Sequence, residues 1–225
     1  MRSLSIRIIV ALLAFLLGIA AATLWVVNSP PKQNLSGKND AAFINQEKQE
    51  LRLEIPDDGW VSIFFESINK RANIAKLSSL RTALPKDDLE VRVWGGFGLT
   101  PLEGFILKRT DGQWSAIHLK GISKKLPPSE YQKNMEAPKS GWESCWQRLV
   151  DAGILTLPDA SEVKKCEVLA FDGFSYVVEI NMNNTYRTYM YDNPIYAKCD
   201  EAKQMLKIGK IIDEEFGLRS FSLSN

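Results

Sequence analysis

The sequence predicts an α+β domain, an antiparallel sheet with helices packed on one face, preceded by one N-terminal transmembrane or signal helix. Three observations predict it. A strand-strand-strand-helix order occurs twice after Asp88. The connections between successive strands are short, which implies antiparallel pairing. An uncharged apolar run extends from Ile8 to Val27. The expected organisation is a signal-anchor or transmembrane helix over 1–27, a linker over 28–39 and an extracytoplasmic domain over 40–225.

The apolar run has roughly 20 residues, enough as a helix to span a bilayer hydrocarbon core. Arg2 and Arg7 are the only charges before Asn28. Their bias favours a cytoplasmic N-terminus and an exported remainder. A cleaved signal peptide fits as well, because Ala20, Ala21 and Ala22 offer a small-residue cleavage site near Ala22. Continuation of the run through Leu24, Trp25, Val26 and Val27 speaks for an uncleaved anchor. Asn28 to Asn39 is rich in Pro, Asn, Ser and Lys and reads as a linker.

Within the domain, Leu51 to Ile55 alternates as a short strand. Val61, Phe64, Phe65, Ile68 and Ala72 fall at helical spacing, predicting a helix from about Gly59 to Arg71. Asn73 to Leu84 fits neither period. Leu89 to Trp94 alternates as a strand. Gly104 to Thr110 and Gln113 to Leu119, joined by Asp111-Gly112, form a hairpin with a type I′ turn. Gly95-Gly96-Phe97-Gly98 lacks phosphate-loop spacing and reads as a glycine turn or bulge. The polar stretch Lys120 to Lys139 carries three prolines and reads as an insertion.

Ser140 and Glu143 form a capping-box pattern that opens a helix to Ala152, stopped by Gly153. The second round begins with a strand at Cys166 to Phe171. Phe174 to Asn181 and Thr185 to Tyr191 follow around Met182-Asn183-Asn184. Asp200 caps a last helix that ends at Phe216, before Gly217.

The stretches SGWESCWQRLVDAGILTLPDASE and DGFSYVVEINMNNTYRTYMYDNP, with the CDEAKQMLKIGKII that follows, resemble a scattered group of uncharacterised bacterial exported proteins. The resemblance covers the C-terminal third to half of the chain. It implies a bacterial, exported source and brings no activity, cofactor or functional residue with it.

Composition narrows the function classes. The chain has 28 basic and 27 acidic residues and one histidine. A nucleic-acid binder needs a cationic surface to displace phosphate counterions, and none is indicated. A zinc site is not indicated either, since no C-x-x-C occurs. No metal or cofactor is expected. On the helix after Ser140, Trp142, Cys145, Trp146 and Leu149 share one face, which places Cys145 in the core. Cys166 and Cys199 lie at element ends, and an exported domain meets an oxidising compartment, so these two are expected to form a disulfide. A bridge closing a loop of about 33 residues contributes roughly 4 kcal/mol in the chain-entropy view.

His118 opposes Phe105 across the hairpin and lacks a recognisable nucleophile, so it is expected to be structural. Glu103, Asp111, Asp172 and Glu179 lie near strands, but sequence gives no separation from which to choose a catalytic pair. Arg187, Tyr189 and Tyr191 share one strand face and form the candidate binding surface, with the composition of an interaction hot spot. The alternative is that Arg187 pairs with Glu179 across the hairpin, with the tyrosines covering its stem. This needs a three-residue turn at Met182-Asn183-Asn184, whereas a two-residue turn at Asn183-Asn184 opposes Arg187 with Ile180. The expected function is a membrane-tethered extracytoplasmic interaction or structural module without catalytic activity, with an envelope protein or glycan as partner. A cell-envelope carboxylate hydrolase acting on glycan and an immunity or inhibitor protein are the alternatives.

Overall fold

A computed structural model describes residues 50–97, 100–121, 131–166, 168 and 173–223. The expected anchor and linker lie outside the described residues. So does most of the strand expected at Cys166 to Phe171, although Cys166 and Val168 are described and are not in a strand. Among the described residues, no helix is long and apolar enough to cross a membrane.

The domain is α+β. Its strands are β1 (Arg52–Glu54), β2 (Leu89–Phe97), β3 (Thr100–Thr110), β4 (Gln113–Leu119), β5 (Gln132–Asn134), β6 (Ser175–Met182) and β7 (Thr185–Asp192). Its helices are α1 (Trp60–Ile74), α2 (Trp142–Asp151) and α3 (Asp200–Phe216), with 3₁₀ turns at Ala160–Glu162 and Arg219–Phe221. The strands form one sheet in the order β1-β7-β6-β2-β3-β4-β5. Every pairing is antiparallel except that of β1 with β7. The sheet is therefore mixed, and five further strands separate β1 from its partner β7 along the chain.

Helices cover both faces, where the sequence pattern predicts one. The reason lies in the central strands. Leu89, Val91 and Val93 of β2 join Tyr176, Val178 and Ile180 of β6 in a core under α2 and α3, to which α3 adds Met205, Ile208 and Ile212. The opposite face carries buried polar groups, Glu90, Arg92, Glu179 and Asn181, together with large apolar ones. Trp94, Ile106, Leu119 and Val177 point the other way and are covered by Trp60, Ile68 and Ala72 of α1. A central strand buried on both sides needs a cover on both sides.

The turns follow the backbone preferences of their residues. Asp111 and Gly112 take φ of 49° and 74°, and Asn183 and Asn184 take 52° and 55°, so both hairpins close through two-residue I′ turns. The second turn pairs Met182 with Thr185 and sets Arg187 opposite Ile180. The glycine segment after Trp94 forms a bulge, with a register shift between Gly95 and Phe97. Gly96 has φ of 115°, and a Cβ there would lie 2.5 Å from the carbonyl oxygen of Pro101.

Two helix starts differ from the expected ones. Gly141, with φ of 84°, stands at the N-cap of α2, and no side chain caps it. Ser140 is held elsewhere, its N–H donating to Glu215 at 2.9 Å. Glu143 accepts from the Trp114 indole at 2.7 Å instead of closing a capping box. At α3 the cap is Cys199, whose sulfur accepts from the Ala202 N–H at 3.4 Å, and Asp200 becomes the first helical residue. Cys199 is bonded to Cys166 with Cα atoms 5.2 Å apart, so the expected disulfide ties the start of α3 to the segment before β6. Cys145 is a free, buried thiol.

Candidate functional site

The strand face expected to bind is core. Tyr189 and Tyr191 are 0% and 1% exposed. Tyr189 donates to the carbonyl of Ile154 and Tyr191 to that of Pro158, each at 2.8 Å. Arg187 donates to the carbonyls of Leu155 and Leu157. These three side chains satisfy the backbone of the irregular segment after α2, which crosses this face of β7. The exposed aromatic platform expected from alternation is therefore not formed. A carbonyl-rich segment without regular structure needs donors when buried, and an arginine with two tyrosines supplies them.

The carboxylates separate by environment. Glu179 is buried on the α1 side and accepts from Trp94 Nε1 at 2.7 Å and from the Tyr186 hydroxyl at 2.8 Å. Asp111 lies in the hairpin turn, where its N–H donates to Asp88 at 2.9 Å. Asp172 lies outside the described residues. Glu103 lies at one end of the sheet and faces a cleft of about 500 Å³.

That cleft is built where β3 starts, β4 ends and β5 pairs with it, and its far wall is the chain leaving α3. Glu103, His118, Lys120, Lys133, Arg219 and Ser220 supply its polar groups. Its volume is in the range of small-molecule sites. Register explains the central pair. Phe105 is opposite His118, and Glu103 lies two residues before Phe105 on the same face, a diagonal neighbour of the histidine. His118 Nε2 is 3.0 Å from Glu103 Oε2. Ser220 Oγ donates to the same oxygen at 2.7 Å. The backbone N–H of Gly121 also donates to this carboxylate.

Burial alone would raise the Glu103 pKa, but the hydrogen bonds from His118 and Ser220, the charge interaction with His118 and the Gly121 N–H together lower it. Glu103 is thus a carboxylate held ionised, and an ionised carboxylate only accepts. The hydrogen between it and His118 therefore belongs to His118 Nε2. Ser220 is bonded to the carboxylate and not to the imidazole, so the trio lacks the serine-to-histidine contact that activates a nucleophile. It works as a clamp that joins β3, β4 and the segment after α3.

The other charges of the cleft are cationic. Lys120, Lys133 and Arg219 are exposed and make no ion pair among the described residues. Behind them lies Arg71 of α1, 3% exposed, which donates to the carbonyl of Lys120 at 2.6 Å and to that of Tyr131 at 3.2 Å. Its Nε and Nη1 have no hydrogen-bond partner among the described residues. Burial lowers the Arg71 pKa, while Tyr131 and Glu103 oppose this. Sequence reading singles out neither Arg71 nor Ser220, since nothing in local spacing brings α1 or the C-terminal segment to the end of β4. The Glu103–His118 diagonal was available from the hairpin register.

One further cluster unites Cys166, Cys199 and Glu201. Both sulfurs are committed to the disulfide, so neither is a thiolate able to hold a metal. Compared with known proteins, the chain matches no family model, no curated protein and no solved structure.

Proposed function

We propose that the chain is a membrane-tethered, extracytoplasmic interaction module that recognises an envelope protein or glycan through the cleft at the end of its sheet. The observation that carries this reading is the cleft itself. Helices cover both faces of the sheet, and β7, the candidate surface in sequence, is occupied by its own chain. The cleft is where polar and charged side chains converge around a concave surface. The apolar run of Ile8 to Val27 supports the tether. The Cys166–Cys199 disulfide supports an oxidising compartment, as does the resemblance to exported bacterial proteins.

Glycan hydrolysis asks for two carboxylates set across the scissile bond. Glu103 is the one carboxylate lining the cleft among the described residues, and three donors engage it. This favours recognition over hydrolysis there.

Two measurements test the reading. Protease added to cells with a permeable outer layer is expected to digest the domain, and full protection overturns the location. A partner recovered by pull-down from solubilised envelope is expected to be lost from Lys120→Glu/Lys133→Glu. Undiminished recovery removes the cleft from recognition.

A further inference from the structure

We propose that the cleft binds a small organic anion, a carboxylate or phosphate group carried on a sugar-sized or apolar body. The proposal deepens the reading of the cleft as the recognition site and rests on it.

Charge comes first. Lys120, Lys133 and Arg219 surround the opening, and Glu103 is the one opposing charge among the described lining residues. That carboxylate is already consumed by His118, Ser220 and the Gly121 N–H, so it offers little to a cationic ligand. The lysines and the arginine retain their donors, since no carboxylate among the described residues pairs with them. A cleft lined by one sign of charge with low-dielectric walls focuses the field and concentrates the opposite ion. Lysine and arginine both donate charge-assisted hydrogen bonds to carboxylate and phosphate oxygens.

Arg71 is the independent observation. A guanidinium keeps its charge when buried. This one has two nitrogens without hydrogen-bond partners among the described residues, and it reaches the cleft wall through the Lys120 carbonyl. A buried, incompletely paired cation is costly unless negative charge is brought near it. Glu103 already brings one negative charge near it and the Tyr131 ring lies 5.9 Å from the guanidinium, and an anion in the cleft would add to both.

Shape gives the rest of the ligand. The space of about 500 Å³ exceeds a single phosphate, and Met135, Phe216 and Leu218 give it an apolar floor. The half-buried Phe216 ring, packed against Phe105 with centroids 4.8 Å apart, is held in place. A ring or short apolar body against this floor, with its acidic group toward the lysines, uses both parts of the site.

The test titrates the full-length protein, in neutral detergent at low salt, with glucuronate, a hexose phosphate and glucose, followed by calorimetry. At least one of the two acids is expected to bind and glucose is not; whichever acid binds tells carboxylate from phosphate. Lys120→Ala/Lys133→Ala is expected to weaken binding by about tenfold or more. Both lysines are exposed, and a thermal melt verifies that the variant is folded; if it melts early, Arg219→Ala carries the same test. The proposal is overturned if neither acid binds at concentrations up to roughly 10 mM, if glucose binds as well as the acids, or if the variant binds unchanged. A negative titration beside a pull-down that still depends on the lysines overturns the ligand class alone. A pull-down indifferent to the lysines overturns the recognition site.

Discussion

Trp94 of β2 donates its indole N–H to Glu179 of the neighbouring β6 at 2.7 Å, with the tryptophan 0% and the glutamate 3% exposed. Tyr186 of β7 donates to the other carboxylate oxygen at 2.8 Å, so one acid joins three adjacent strands beneath α1. Glu179→Ala leaves two buried donors unsatisfied, each costing about 1–3 kcal/mol. The expected loss is about 3 kcal/mol or more in urea melts. Glu179→Gln keeps an acceptor and is expected to lose less than half as much. Equal losses for the two variants would show that the charge, not the acceptor geometry, matters here.

The β7 face yields a second expectation. Arg187 and Tyr189 bind the carbonyls of Leu155, Leu157 and Ile154, so Arg187→Ala/Tyr189→Ala removes donors from a buried segment and opens a cavity. A stability loss of roughly 4 kcal/mol or more is expected, from the orphaned carbonyls and the truncated aromatic. Circular dichroism melts measure it. A variant that retains its melting temperature while losing partner binding would restore this strand as an interaction surface.

Most strands and the helices were readable because each carried its own period and its own punctuation; β5 was not, since its three residues lie in the polar stretch read as an insertion. The hairpin of β3 and β4 follows from Asp111-Gly112, and the pairing of His118 with Phe105 follows from that turn. The disulfide was readable from the position of Cys166 and Cys199 at element ends. Longer-range choices were not. The alternation of Arg187, Tyr189 and Tyr191 is the same whether a helix, a loop or water lies above it, and the cover is a loop from 30 residues away in the chain. The capping-box pattern at Ser140 was outcompeted by Glu215, a partner at a sequence separation of 75. The cleft depends on Ser220 meeting Glu103, 117 residues apart, a contact with no local signature.

Cys145 offers a test of the α2 face. It is 1% exposed, and burial, with Glu215 adding to it and Arg148 opposing, pushes its thiol pKa up to about 12. The thiolate is the reactive form, so the native protein is expected to resist alkylation at this position. Iodoacetamide at neutral pH, followed by mass spectrometry, should label Cys145 only after denaturant is added. A non-reduced digest should contain the linked Cys166 and Cys199 peptides. Rapid labelling under native conditions would mean that α2 does not hold Cys145 in the core.

Acid should destabilise the domain through two carboxylates. Glu103 and Glu215 both have pKa values below their ordinary 4.5. In each, burial acts upward and is outweighed. At Glu103 the balance is tipped by His118, Ser220 and the Gly121 N–H. At Glu215 it is tipped by Ser140 and Arg148. A carboxyl with a lowered folded pKa binds its proton more readily in the unfolded chain. Its contribution to stability is therefore complete above the unfolded value and disappears as pH falls through the folded one. Urea melts are expected to be nearly level from about pH 7 to 5 and to weaken steadily below about pH 4.5. Glu103→Gln/Glu215→Gln should be less stable at neutral pH and should lose less on acidification, so the two curves converge at low pH. Parallel curves would show that neither carboxylate is held ionised by the partners named, and the clamp that shapes the cleft would then contribute nothing through its charge.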